Sequence, residues 1–432
     1  MAARLAEDLM ENLTENRMGN ITGEKIMQKA QADYQRIVAD RHYLHAHPET
    51  GFELTETLAY VKQALTAMGY APVTCGKAGL VATAGGRKPG KVFLLRADMD
   101  ALPIREEADI AFASENGNMH ACGHDMHTAM LLEAARILKT CEEEINGTVK
   151  LMFQPAEEIL EGARDMIEAG VLKNPAADAG MMIHVMPGTP FPSGTAIVCD
   201  GGVSAPAADY FTIKIQGKGC HGSMPGSGID PINIAAHIII ALQEIHAREL
   251  AITDEAVLTI GSIHAGEASN AIPDTATLGG TLRTYNENVR NMLKTRMSEI
   301  ATHTAAAFRG EVTVEFGSGC PSLLNHPELS ACTVKYLQEL NGPQIVYTAG
   351  QLRAMSKVAD SKSGGSEDFA YISREIPTIM LALAAGQNDN GYRYPLHHPK
   401  VTFDEDVLPV GAAIYAYTAL RWLEEHPTDI FS

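Results

Sequence analysis

Basic residues are scarce in this chain: Lys and Arg number 34 against 53 Asp and Glu, for a net charge of −19. A phosphate backbone or an anionic membrane is held by basic patches, so neither nucleic acid nor membrane is an expected partner. No apolar run approaches the roughly 18 residues that a membrane span requires. The opening stretch, MAARLAEDLMENLTENRMGN, interleaves acids with its apolar residues and shows no signal-peptide core. There is no disulfide framework either. The seven cysteines (Cys75, Cys122, Cys141, Cys199, Cys220, Cys320 and Cys332) are odd in number and dispersed, as reduced thiols are. Internal repeats and low-complexity tracts are absent. At 432 residues the chain exceeds one ordinary core, so the expectation is a soluble, cytoplasmic protein of two domains.

What is present is an alternation of two periodicities. ETLAYVKQALTAMGY (56–70) and TAMLLEAARILKTCEEE (128–144) have helical apolar spacing. KVFLLRADMD (91–100), TVKLMFQPAEE (148–158) and DAGMMIHVMP (178–187) read as buried strands. Strands alternating with helices predict a largely parallel sheet covered on both faces. From ADYFTIKIQGKG (208–219) the pattern changes. A helix over 230–250, strands over 256–266 and 275–285, a helix over 287–308 and a strand over 311–319 follow. That order, β-α-β-β-α-β, is a ferredoxin-like unit. The α/β pattern then resumes with the strand TIMLALAAG (378–386) and a helix over 404–425. The expected fold class is α/β, an α/β domain over 1–206 and 319–432 interrupted by a ferredoxin-like insertion over 207–318, with 1–30 as an extension.

Side chains able to bind a metal gather where strands end, which is where open α/β sheets build their sites. MHACGHDMHTAM (119–130) holds Cys122 and His124. Asp98 and Asp100 follow one strand, Glu157 and Glu158 another, and His184 ends a third; His397 and His398 follow the last. Imidazole and carboxylate suit Zn²⁺ or Mn²⁺, and a thiolate shifts the preference toward softer ions such as Zn²⁺. Two adjacent glutamates can divide the labour, one binding metal and its neighbour taking a proton from an activated water. Each piece also has a plain reading: a hydrogen-bonded core histidine, or paired glutamates starting the helix GARDMIEAG. Their joint occurrence at successive strand ends favours the site.

Together HACGHDMHTAMLLEAA, FQPAEE, GSEDFA, NAIPD and LHHP…FDE resemble the amidohydrolase branch of the M20 metallopeptidases. That branch contains hippurate hydrolases, auxin-conjugate hydrolases, N-acetyl-diaminopimelate deacetylases and aminobenzoyl-glutamate hydrolase subunits. The likeness runs from about Arg41 to the C-terminus. It implies a metal-bearing domain interrupted by a dimerisation domain, hence a homodimer or higher homo-oligomer. It also implies two divalent ions, Zn²⁺ or Mn²⁺ and possibly Co²⁺ or Ni²⁺. Cys122, His124, Glu158, His184 and His397 would be their ligands, with Cys122 bridging. His397 is preferred to His398 because the family keeps the first histidine of that motif.

Glu157 would be the general base, and Asp100 would orient a ligand from behind. His221 would polarise the scissile carbonyl across the dimer. Asn270 would contact the substrate, and Arg283 would pair with its α-carboxylate. The implied reaction is hydrolysis of N-acyl amino acids. Alternatives are a dipeptidase, an N-carbamoyl amino-acid hydrolase, or a noncatalytic metal-binding homologue. His45 and His47 of LHAHPE, with His120 and His127, are expected to be structural. Ile159 and Leu160 stand where the family often has glycine, Gly226 where it has histidine, and Ala205 lies where a pocket methionine is common. These departures bear on the substrate pocket.

Overall fold

The computed structural model describes residues 22–356 and 365–427. Two compact units divide them. One comprises residues up to 202, 324–356 and 371–427; the other comprises 203–323 and 365–370.

In chain order the first unit begins with helices α1 (Gly23–Ala32), α2 (Tyr34–Ala46) and α3 (Thr55–Ala67). Strands β1 (Val73–Cys75), β2 (Gly79–Gly85) and β3 (Lys88–Asp98) follow, then α4 (His124–Thr140), β4 (Asn146–Gln154), α5 (Gly162–Glu168), β5 (Ala179–Met186) and β6 (Ala196–Val198). Residues 1–21 of the expected extension lie outside the described residues. Its remainder is no appendage, because Ile26 and Ala30 of α1 are buried in the core.

The second unit contributes β7 (Ala207–Gln216), α6 (Pro231–Glu244), β8 (Ala256–Ala265), β9 (Thr275–Thr284), α7 (Glu287–Ala307) and β10 (Glu311–Cys320). Its sheet order is β8-β9-β7-β10, antiparallel throughout. With two crossing helices this is the ferredoxin-like arrangement. Side-chain caps start both helices: Asp230 accepts from the backbone of Ile232 and Asn233, and Asn286 from Asn288 and Val289. Phe211, Ile213, Ile215, Ile234, Ile238, Leu278, Leu293 and Met297 form a core separate from that of the first unit.

The chain completes the first unit with α8 (Pro327–Asn341), β11 (Val346–Thr348), β12 (Thr378–Ala384) and α9 (Leu408–Glu425). The sheet order is β1-β2-β4-β3-β5-β12-β6-β11. Here the largely parallel sheet expected from the sequence needs correction. Its centre, β4-β3-β5-β12, is parallel, but β2 runs antiparallel to β4 and β6 antiparallel to β12. No helix separates β2 from β3 or β5 from β6, and a parallel partner needs a long crossover. Strand β4 is buried on both faces from Gly147 onward, as a strand covered by helices must be. Helices α4 and α9 pack against one another and on the sheet. Tyr415 of α9 ties the central strands together: its hydroxyl donates to the Arg96 carbonyl at 2.7 Å and accepts from the Ile183 N–H at 3.1 Å. Among the described residues no helix is long and apolar enough to cross a membrane.

Candidate metal centre

The parallel centre of the sheet aims several chain ends at one place. Strand β3 ends at Asp98 and Asp100 follows; β4 leads into the loop holding Glu157 and Glu158; β5 carries His184. Cys122 and Gly123 immediately precede α4, whose first residue is His124. Gly123 has φ +83°, and a Cβ there would lie 2.4 Å from Val185 Cγ2, so only glycine fits. His397 also has a left-handed backbone, φ +65°, unusual for a residue with a side chain. Its N–H donates to the Ala121 carbonyl at 2.9 Å, which pins it beside Cys122 although 275 residues separate the two.

The two glutamates do not start a solvated helix. Helix α5 begins at Gly162 with Glu161 as its N-cap, and Glu157 is only 6% exposed. Their loop is tightly wound, with Ala156 and Leu160 both at φ +56°. Leu160 therefore occupies a conformation that favours glycine, yet its side chain is buried; Ile159 beside it is exposed.

Cys122 Sγ lies 3.2 Å from His397 Nε2 and 3.6 Å from His184 Nε2. Glu158 Oε1 lies 3.5 Å from His397 Nε2 and 3.9 Å from His124 Nε2, and Glu157 Oε2 lies 4.0 Å from His124 Nε2. These atoms form overlapping groups (Cys122–His124–His184, Cys122–Glu158–His397 and His124–Glu157–Glu158), each with its donor atoms within 4.8 Å of one another. His397, and not His398, reaches the cluster. His398 Nδ1 accepts from the Lys400 N–H, and its ring stacks on Tyr394.

Hydrogen bonds behind the cluster decide which ring atoms face it. His124 Nδ1 donates to the Asp100 carbonyl at 2.8 Å, and His184 Nδ1 to the Val185 carbonyl at 2.8 Å. A carbonyl only accepts, so Nδ1 of both rings carries the proton and Nε2 points inward. His124 Nε2 and Glu158 Oε1 are buried without a hydrogen-bond partner. Orphaned polar atoms of this kind are rare in folded proteins, and a bound ion is one arrangement that satisfies them. Thiol, imidazole and carboxylate together make a donor set that fits a divalent transition metal.

Electrostatics point the same way. Burial pushes the Cys122 thiol well above its usual range, and the Glu158 charge adds to this. Burial raises Glu158 to about 7. His184 is lowered to about 3 by burial and by His127, and His397 is lowered by burial and by His124. His124 is the exception. Burial would lower it, but Asp98, Asp100 and Cys122 outweigh that and hold it well above its usual range. The acids around Nε2 thus call for positive charge, which a proton or a metal ion can supply.

Asp100 is buried and carries more than one attachment. Oδ1 accepts from the Glu157 N–H at 3.0 Å, and Oδ2 from the Glu158 N–H at 3.2 Å. The sequence marks Asp98 only as a strand-end acid, yet in the structure it closes the floor. Arg96 Nη1 donates to it at 2.6 Å, as does His127 Nδ1 at 2.6 Å. Burial raises its pKa, but Arg96, His124 and His127 overcome this and hold the carboxyl well below its usual range. His127 Nε2 accepts from the Val185 N–H at 2.9 Å, so both its nitrogens are occupied and neither is offered to a metal. The spacing of His124 and His127, three residues apart on one helix, was the available signal.

Within the second unit His221 and Asn270 are neighbours. His221 pairs with Ala271 across the short ladder Cys220–His221 with Ala271–Ile272, and the Gly222 N–H donates to the Asn270 carbonyl at 2.8 Å. His221 Nδ1 is 2.8 Å from Ser223 Oγ, and the ring is exposed. Arg283 sits apart on β9, and its Nη1 donates to Ser366 Oγ at 2.6 Å.

Comparison with known proteins matches residues 94–421 to a family described as Peptidase family M20/M25/M40. The chain is 36% identical over 391 residues to N-acetyl-L-cysteine deacetylase of Bacillus subtilis (strain 168), covering 90% of this chain and 88% of the relative. It is 37% identical over 398 residues to IAA-amino acid hydrolase ILR1-like 2 of Arabidopsis thaliana, covering 90% and 85%. The crystal structure of the Bacillus subtilis YXEP protein, described as a dinuclear metal binding peptidase from the M20 family, superposes with a TM-score of 0.73 at 33% identity. It covers 91% of this chain and 99% of that one. With three-quarters of its length matched and relatives this near, the chain belongs to peptidase family M20/M25/M40.

Proposed function

We propose that this M20 amidohydrolase cleaves the amide bond of N-acyl amino acids, releasing a carboxylic acid and a free amino acid. One observation carries the reading. Cys122, His124, Glu158, His184 and His397 converge with inward-facing donor atoms, and Glu157 lies beside them on the same loop. These five would hold two divalent ions, Zn²⁺ or Mn²⁺ with Co²⁺ or Ni²⁺ as substitutes, with Cys122 contributing to both. When bound, the ions supply Lewis acidity to the carbonyl and to the attacking water. Relatives named for removing an acetyl group from cysteine and for hydrolysing IAA–amino acids support the substrate class.

Glu157 takes the proton of the attacking water and returns it to the nitrogen of the leaving amine. Asp100 fixes the Glu157–Glu158 backbone, so base and ligand keep their relative placement. His221 polarises the scissile carbonyl, Asn270 contacts the substrate, and Arg283 pairs with its α-carboxylate. The ferredoxin-like unit serves as a dimerisation domain in a homodimer. All seven cysteines are free thiols, which suits the reducing cytoplasm.

Glu157→Gln should retain metal content while turnover falls by a factor of about 10² to 10⁴ on a panel of N-acetyl, N-benzoyl, N-carbamoyl and dipeptide substrates. Metal lost together with activity would show that the roles of the two glutamates are reversed. Wild-type activity confined to dipeptides would overturn the substrate class.

A further inference from the structure

The LHAHPE segment has ligand-like histidine spacing but precedes the first strand in the chain. His45 stands in the last turn of α2 and is 1% exposed. Its Nδ1 is 2.9 Å from Asp125 Oδ2, and its Nε2 is 3.0 Å from Glu106 Oε1. A neutral imidazole has one N–H, and an ionised carboxylate only accepts. A ring held by two carboxylates therefore carries protons on both nitrogens and is a buried cation. Burial disfavours that charge and Arg41 opposes it, but Asp125 and Glu106 outweigh both and lift His45 to about 9. The His120 ring lies 6.3 Å away.

The partners of His45 lie on the segments that carry the metal donors. Asp125 follows His124 in the first turn of α4. The N-cap of that helix is Gly123, which has no side chain to cap it, so its first turn lacks the usual fastening. Asp125 supplies a substitute, because Oδ2 also accepts from Arg41 Nε at 3.0 Å, and Arg41 Nη1 reaches Glu405 at 2.8 Å. Glu106 belongs to the irregular stretch between Asp100 and Cys122, and its other oxygen accepts from the Ser114 N–H at 2.6 Å.

We propose that His45 is a positioning residue for the metal centre: a cation clamped between Asp125 and Glu106, it fixes the first turn of α4 and with it the direction of His124 Nε2. This rests on His124 being a ligand. A purely structural histidine would affect the stability of the apoprotein and leave metal affinity alone.

The test uses the full chain stripped of metal and titrated with Co²⁺, read by its absorption bands and by competition with a chromogenic chelator. Apoprotein melting is measured in parallel. Wild type should bind two Co²⁺. H45Q should lose about tenfold in affinity, with altered bands at saturation, as expected for removing support behind a ligand. D125N should do the same, and the double variant should lose no more than either alone, because one path is cut twice. E106Q, a milder change should H45Q fail to fold, should lose severalfold. H45Q and E106Q binding Co²⁺ with wild-type affinity and spectrum would overturn the proposal, whatever their melting temperatures. Wild type that binds no Co²⁺ would instead sink the metal reading itself, and this inference with it.

Discussion

Asp100→Asn changes one atom and exposes how the site is built. The carboxylate is buried and accepts two backbone N–H groups, from Glu157 at 3.0 Å and Glu158 at 3.2 Å. An asparagine amide offers one acceptor and one donor. Whichever way it turns, its NH₂ faces a backbone N–H. One charge-assisted hydrogen bond is lost and a buried donor is left unmatched, which together cost about 2–4 kcal/mol. The His124 bond to the Asp100 carbonyl survives, so the damage falls on the loop of the two glutamates.

Both should move, and metal affinity should fall by about 10- to 100-fold, as when other ligand supports are removed. Turnover should fall as well, beyond what added metal restores, because Glu157 is displaced with Glu158. The measurements are chelator competition, melting of the apoprotein, and turnover at saturating metal. Asp100→Asn with wild-type metal affinity and full turnover would reduce Asp100 to a turn-capping residue and refute the argument.

Two further outcomes follow from other positions. Gly123→Ala forces a left-handed alanine whose Cβ meets Val185 Cγ2 at 2.4 Å; strain and overpacking together should cost about 2–5 kcal/mol in thermal or urea unfolding. Glu133 is buried, and burial raises its pKa from 4.5 to about 7 against the opposing pull of Arg136. The folded state thus binds its proton more tightly than the unfolded state, and stability should decline as pH rises from about 4.5 through 7. Glu133→Gln should flatten that decline in urea titrations at pH 5 and pH 8; an unchanged slope would show that Glu133 is ionised without penalty.

Much of the architecture was legible because periodicity reports burial. The strand-like runs at 91–100, 148–158, 178–187 and 378–386 cover most of the four central strands, and the helical spacing at 287–308 became α7 almost residue for residue. Strand direction was less legible. The flanking strands β1, β2 and β6 are short, and β2 is rich in Ala and Gly. Their antiparallel course depends on which neighbour an incoming strand meets, information held in tertiary packing. Helix α1 reads as part of an extension for a related reason: its buried positions, Gly23, Ile26 and Ala30, are spaced through a polar stretch.

The site divides along the same line. Side chains able to bind metal announce themselves by type and by position after strands, so Cys122, His124, Glu157, Glu158, His184 and the pair His397 and His398 could be named as candidates, the choice of His397 resting on the family resemblance. What makes them usable could not. Their ring orientations are set by the carbonyls of Asp100 and Val185, and a carbonyl has no residue identity to read. His127 and His124 look alike in the sequence, yet an N–H from Val185 fills the second nitrogen of one, while the other keeps Nε2 without a partner. The difference between candidate ligand and floor thus comes from backbone atoms contributed by neighbouring strands. Backbone donors and acceptors appear only when the sheet is assembled. For that reason the supporting residues Asp98, Asp100 and Asp125 are the sharper tests of the reading. Ligand replacement would remove metal under any account of the centre, whereas substitution behind the ligands does so only if this hydrogen-bonding frame aims them.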